Sequence, residues 1–258
     1  MKYCCCATPE NYGLVKKSGY ERITFQASYV ATCSEEEFEK LCALVAQDGP
    51  KCRSLNAFCP ASIKLVGPGH DPEELRKYTQ HLGKRASLLG VEAIGIGSPN
   101  SRKLPEGYDR NLAMTQWEQS LNVIAEELEK YGIFALAEPL CTLECNWMNT
   151  TEEVLSCVKK LNLPNLGMVF DMYHAFAMGE DAKPMEAAMP YVRLVHIAQL
   201  VEGEKHYLRP DHREDCAAYF AVLRAWNYDG ELAVEATYDP LEEALPHSLG
   251  ILRDYENA

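Results

Sequence analysis

The sequence has no CxxC pair, no glycine-rich dinucleotide fingerprint, no clustered patch of Lys and Arg, and no apolar run long enough to span a bilayer. Each absence removes a class of function. Gly95-Ile96-Gly97 ends an apolar run without a third glycine at the required offset, which argues against a dinucleotide cradle. Basic side chains are the scarcer charge, 25 Lys and Arg against 38 Asp and Glu. The resulting net charge of -13 repels nucleic acid phosphates and anionic membranes, so neither is an expected partner. The first residues form a short apolar run without the segments of a signal peptide, and the expected location is cytoplasmic. Cysteine is not scarce, with eleven residues that include Cys4, Cys5 and Cys6 in a row and Cys141 near Cys145. An odd count with no metal-type spacing and no export signal reads as free thiols acting as small hydrophobes.

What is present fits one α/β unit. A chain of 258 residues matches the size of a single (β/α)8 barrel, and 47% hydrophobic with 24% charged residues is the balance of a folded domain. Eight apolar, strand-sized runs recur: Lys2 to Ala7, Arg22 to Ala27, Arg53 to Phe58, Ala93 to Gly97, Phe134 to Glu138, Gly167 to Asp171, Leu194 to Ala198 and Leu232 to Ala236. Amphipathic segments lie between them. Ser34 with Glu37 makes a capping box ahead of Phe38, Leu41, Cys42 and Val45, and Asp71-Pro72 opens a helix through Leu75, Tyr78 and Leu82. A long helix is expected from about Asp109 to Tyr131, closed by Gly132, and Thr150 with Glu153 opens another through Val154, Leu155, Val158 and Leu161. Asp215 is the expected start of a helix through Tyr219, Phe220 and Leu223. Eight strands with intervening helices and no linker favour a closed barrel, one domain over residues 1–258, rather than a doubly wound sheet.

In such a barrel the active site lies at the C-terminal ends of the strands. Four consecutive runs place an ionisable residue there: Glu138 on the fifth, Asp171 on the sixth, His196 on the seventh and Glu235 on the eighth. Singly, a strand-end carboxylate is often a helix cap and a lone histidine is often structural. Together they would converge in one partly desolvated cup, where uncompensated carboxylates are too costly and a divalent cation is the natural neutraliser. Three carboxylates and one imidazole suit manganese, with magnesium, cobalt or zinc as alternatives, and leave coordination positions for substrate oxygens.

Glu138-Pro139-Leu140, Glu144-Cys145-Asn146, Asn149-Thr150, Asp171-Met172-Tyr173-His174, His196-Ile197-Ala198 and Val234-Glu235-Ala236 carry a resemblance that spans nearly the whole chain. It resembles the xylose isomerase-like TIM barrel superfamily, in the sugar phosphate isomerase/epimerase branch that includes D-tagatose 3-epimerase and D-psicose epimerase. The loop from Gly97 through Arg102 to Tyr108 is similar to one found in a subset of these proteins. The resemblance implies that Glu138, Asp171, His196 and Glu235 bind the metal and that Glu138 and Glu235 are the acid/base pair. It implies that Glu144 and His174 touch substrate hydroxyls or orient the catalytic glutamates. It also implies a homo-oligomer, dimer or tetramer, acting on a small sugar.

One departure stands out. The family usually places an arginine a few residues after the seventh-strand histidine, where this chain has Gln199, Leu200, Val201 and Glu202. Lys205, His206, Arg209 and His212, in the longer loop that follows, are the candidates to take over. Arg102 and Asn56 are further candidates for substrate contact, while Phe58, Trp117 and Trp147 line the pocket or pack the core.

The expected activity is therefore isomerisation or epimerisation of a keto-sugar or related ketone by Glu-mediated proton transfer. A dehydratase or C-glycoside-cleaving lyase on the same scaffold, and a non-catalytic sugar- or metal-binding protein, are the alternatives. A barrel endonuclease with a three-zinc cluster is not, because the third and fourth strand ends carry Asn56 and Gly97-Ser98 in place of histidines.

Overall fold

The computed structural model describes residues 1–209, 216–237 and 239–257, with only the backbone of Asn257. His212 and the expected helix start Asp215 lie outside the described residues. The described strands are β1 (Lys2–Cys6), β2 (Arg22–Gln26), β3 (Lys51–Asn56), β4 (Ala93–Ile96), β5 (Phe134–Ala137), β6 (Leu166–Asp171), β7 (Val192–Ile197), β8 (Gln199–Val201), β9 (Glu204–His206) and β10 (Glu231–Val234). All but β8 and β9 join a closed parallel barrel in the order β1-β10-β7-β6-β5-β4-β3-β2, which is the (β/α)8 architecture expected from the sequence. The helices are α1 (Tyr12–Ser18), α2 (Ala27–Thr32), α3 (Glu35–Ala46), α4 (Pro72–Leu89), α5 (Pro99–Arg102), α6 (Arg110–Glu129), α7 (Thr151–Leu161), α8 (Met172–Ala177), α9 (Ala182–Ala188), α10 (Ala217–Ala225) and α11 (Leu241–Asn257). None of them is long and apolar enough to cross a membrane.

The long helices start where their capping chemistry puts them. Ser34 Oγ accepts the Glu37 amide at 3.2 Å while Glu37 Oε2 accepts the Ser34 amide at 2.8 Å, and Thr150 with Glu153 repeats the reciprocal pair on α7. Asp71 and Asp109 cap α4 and α6 through backbone amides of the first turn. Each such cap contributes about 1 kcal/mol. The buried faces of the helices and the outward side chains of the strands form one large apolar core, in which Ile23, Leu75, Leu82, Leu121 and Phe220 are fully covered. All eleven cysteines are free, and most are buried in that packing.

Inside the barrel, alternation with period two sets the positions that matter. Cys4, Leu136, Val169, Leu194 and Ala233 pack together as an apolar plug. Thr24 and Ser54 extend that layer through a hydrogen bond between their hydroxyls. Two residues further along the same strands stand Cys6, Glu138, Asp171, His196 and Glu235, with Gln26 and Asn56 on β2 and β3. The plug is therefore the floor of a cup, and the next inward layer is its wall.

Candidate functional site

Four side chains from adjacent strands meet in that wall. One ligand atom from each of Glu138, Asp171, His196 and Glu235 lies within 4.8 Å of the others. Register brings them level, since Asp171 is paired with His196 across β6 and β7, and the Glu235 amide continues the ladder with a 3.0 Å bond to the Ile197 carbonyl. Glu138, Asp171 and His196 are all buried. His196 Nδ1 faces Glu138 Oε1 at 3.1 Å and Glu235 Oε1 at 3.8 Å, so a positive charge, proton or metal, belongs between the ring and the carboxylates. Burial alone would push His196 down, but the Glu235 and Glu138 carboxylates overcome it and lift the imidazole to about 9.

Room for this arrangement comes from β4. A Cβ on Gly97 would overlap Glu138 Oε2, and it would lie 3.5 Å from Glu138 Cδ. A glycine at the strand end is what lets the carboxylate turn into the cup. Arg102 braces the same residue, its Nη2 donating to the Glu138 carbonyl at 2.6 Å while the guanidinium lies over the Trp117 ring at 5.2 Å. Asp171 divides its two oxygens. Oδ1 caps α8 by accepting the amides of Tyr173 at 2.8 Å and His174 at 3.4 Å, which leaves Oδ2 to face the cup.

A basic side chain enters from above. Lys205, on β9, places Nζ 2.7 Å from Glu235 Oε2, 3.3 Å from Asp171 Oδ2 and 3.8 Å from Glu144 Oε1. Burial opposes its charge, yet Glu235 and Asp171 hold the ammonium well above the ordinary lysine range. In return, and against burial, Lys205 and then His196 hold the Glu235 carboxyl well below its usual range. Lys205 lowers Asp171 in the same way, against burial. Burial raises Glu138, outweighing its His196 contact, which lowers it. His174 accepts the Cys141 amide at Nδ1, and burial together with Lys205 pushes it down to about 3, so the ring is neutral.

The remaining expected contacts divide cleanly. Glu144 and Asn56 line an open pocket of about 470 Å³ above the cup, and Asn56 Nδ2 donates to Glu235 Oε1. Arg102 is fully buried and acts on the backbone of Glu138 instead of lining that pocket. Arg209 pairs with Asp239 at 2.7 Å and lines a smaller neighbouring pocket of about 180 Å³. Phe58, Trp117 and Trp147 are buried packing residues, with Phe58 edge-on to Tyr78 at 5.5 Å and Trp147 under Arg110 at 4.8 Å. Glu202 is exposed in the β8–β9 turn. Sequence reasoning missed Cys6, Gln26, Thr8 and Asn11, which line the main pocket. Counting two residues on from each plug residue would have found the first two.

The donor set suits a divalent cation. Three carboxylates and an imidazole converge in a buried cup, and their oxygens match hard-cation preferences. Asn56 Oδ1 is also buried there without a hydrogen-bond partner among the described residues.

Comparison with known proteins agrees with this architecture. A ketose 3-epimerase of Arthrobacter globiformis is 29% identical over 133 residues, a match covering 51% of this chain and 45% of that protein. A protein of Xenopus laevis proposed to be a hydroxypyruvate isomerase is 26% identical over 198 residues, covering 73% of this chain and 68% of its own length. The chain thus spans about half the length of the first of these relatives and about two thirds of the second. Among solved structures, a D-allulose 3-epimerase from Methylomonas sp. superposes with a TM-score of 0.82 at 17% identity, over 99% of this chain and 97% of that one. The family model described as "Xylose isomerase-like TIM barrel" matches residues 13–255, and the chain belongs to that family.

Proposed function

We propose that this chain is a divalent-metal-dependent isomerase or epimerase of a keto-sugar or related small ketone, with residues 1–258 working as one catalytic domain. The observation that carries the reading is the convergence of Glu138, Asp171, His196 and Glu235 beneath an open, polar pocket. That pocket offers Thr8, Asn11, Gln26 and Asn56 as hydrogen-bonding groups, which suits a small polyhydroxylated molecule. Glu138, Asp171 and Glu235 would hold the cation by carboxylate oxygens and His196 by Nδ1, and manganese is the metal we favour. When bound, a divalent cation supplies Lewis-acid stabilisation, several kcal/mol in order of magnitude, to negative charge developing on substrate oxygens.

The protein groups move the proton. One glutamate of the Glu138 and Glu235 pair takes the proton from the carbon beside the substrate carbonyl, leaving an enediolate. Glu235, kept ionised by Lys205, is charged and ready at neutral pH. The other glutamate returns a proton to the opposite face, which inverts the centre, or to the neighbouring carbon, which exchanges aldose and ketose. Asn56 fixes Glu235, and Arg102 with Gly97 fixes Glu138, so both carboxylates are oriented before substrate arrives.

Incubating the manganese-loaded protein with free ketoses and hydroxypyruvate in deuterium oxide tests the reading. The expected result is deuterium on a carbon beside the carbonyl of at least one substrate. Release of water from the substrate as the only reaction would move the protein to the lyases. No exchange and no turnover across the panel would overturn the assignment.

A further inference from the structure

We propose that Lys205 is a built-in counter-cation of the metal cup: it neutralises Asp171 and Glu235 in the metal-free protein and competes with the incoming divalent ion, so that it sets the affinity for metal. The inference rests on reading the cup as a metal centre, and it concerns how that centre is filled.

The placement of the ammonium is built into the backbone. β8 and β9 form an antiparallel hairpin in which Val201 pairs with Glu204, leaving a two-residue turn of Glu202 and Gly203. Both have positive φ, +53° and +88°, the pattern of the tight turn that matches strand twist. The hairpin is tied to the barrel twice. The Tyr173 hydroxyl donates to the Gly203 carbonyl at 3.2 Å, and the Thr237 amide donates to the Lys205 carbonyl at 3.0 Å. The Tyr173 ring also lies 4.8 Å from Lys205 Nζ, so an aromatic face guides the side chain inward. Lys205 is thus a positioned charge rather than a surface lysine that happens to reach the site.

Besides His174 Nε2 at 3.2 Å and Glu144 at 3.8 Å, its two carboxylate partners Asp171 and Glu235 are also the metal's. Asp171 Oδ1 is occupied by two amides of α8, so Oδ2 is the oxygen left for a cation, and Oδ2 is the oxygen Lys205 faces at 3.3 Å. Glu235 is shared differently: Oε1 faces His196 while Oε2 holds Lys205 at 2.7 Å. An ion that engages Asp171 Oδ2 and Glu235 Oε1 must therefore displace the ammonium from the aspartate and then reside beside it. Among side chains as buried as Asp171 and Lys205, two cations so close repel strongly. Without metal the same ammonium offsets the repulsion between Asp171 and Glu235, while His196 faces Glu138 and the other oxygen of Glu235. Metal affinity and metal-free stability are therefore coupled through this one side chain, in opposite directions.

The test titrates manganese chloride alone into the full chain by calorimetry, for the wild type, Lys205→Met and Lys205→Arg, with thermal melts of each protein stripped of metal. Lys205→Met is expected to bind manganese at least about tenfold more tightly, while its metal-free form melts lower than wild type. Lys205→Arg keeps the charge and is expected to stay within about threefold of wild type in affinity. A wild type that binds no manganese beside a Lys205→Met that does would support the same conclusion in stronger form. Equal or weaker binding by Lys205→Met, or an unchanged metal-free melt, would overturn the inference and reduce Lys205 to a substrate anchor. Absence of binding by all three proteins would instead remove the metal centre itself, and the inference with it. Deuterium exchange with ketoses reads the proposed activity separately.

Discussion

Replacing Gly97 by alanine separates the site from the fold. The new Cβ would overlap Glu138 Oε2, with Glu138 Cδ at 3.5 Å and Leu140 Cδ2 at 3.8 Å as the next neighbours. The overlap is with the far end of a side chain rather than with backbone, so the carboxylate can yield. Restoring an ordinary contact of about 3.4 Å requires it to swing by roughly 1 Å. Gly97 does not have positive φ, so alanine brings no backbone strain, and stability should stay within about 1 kcal/mol of wild type. Metal ligation tolerates errors of only about 0.2 Å, and a misplaced catalytic group about 1 Å off loses about a hundredfold in rate. The expected outcome is a normal melting curve with manganese affinity lower by about ten- to hundredfold. Calorimetry and a thermal melt on one preparation measure both. Wild-type affinity in Gly97→Ala would show that Glu138 is not held where the metal requires it, and would refute the reasoning.

Glu138→Gln and Glu235→Gln are each expected to lower ketose turnover by about 10²–10⁴-fold while circular dichroism remains that of the wild type, because each removes a proton-transfer group without changing side-chain volume. Near-normal turnover in both would end their acid/base assignment. pH supplies an independent check. His196 lies near 9 in the folded protein, above its ordinary value of about 6.5, so in the metal-free protein its charge contributes stability that is complete below about pH 6.5 and lost as pH rises through about 9. A metal needs the neutral ring, so manganese affinity should strengthen by up to about tenfold per pH unit across the same window. Titrations at several pH values measure the slope, and a flat profile would contradict it.

Much of the barrel was legible because its signals are local. Ser34 with Glu37, Asp71-Pro72 and Thr150 with Glu153 satisfy helix ends with their own side chains, and those helices begin where these residues stand. The strand ends were legible for a related reason, since Glu138, Asp171, His196 and Glu235 each interrupt an apolar run at the end where a barrel opens. The β8–β9 hairpin was not. Its strands are three residues each, too short for alternation to register, and only Glu202-Gly203 marks the turn. Choosing Lys205 over Arg209 as the group that enters the cup required knowing which way that hairpin folds. Arg102 was misjudged in emphasis for the opposite reason: a loop arginine suggests an exposed contact, whereas here it is buried over Trp117 and spent on a carbonyl. The short α8 was also invisible, because its cap is Asp171, whose second oxygen serves the cup.

The most direct measurement is an anomalous difference map from crystals of this protein loaded with manganese. One strong peak is expected inside the barrel mouth, about 2.0–2.4 Å from one atom each of Glu138, Asp171, His196 and Glu235. A map with no peak there, or with manganese bound only at other side chains, would contradict it.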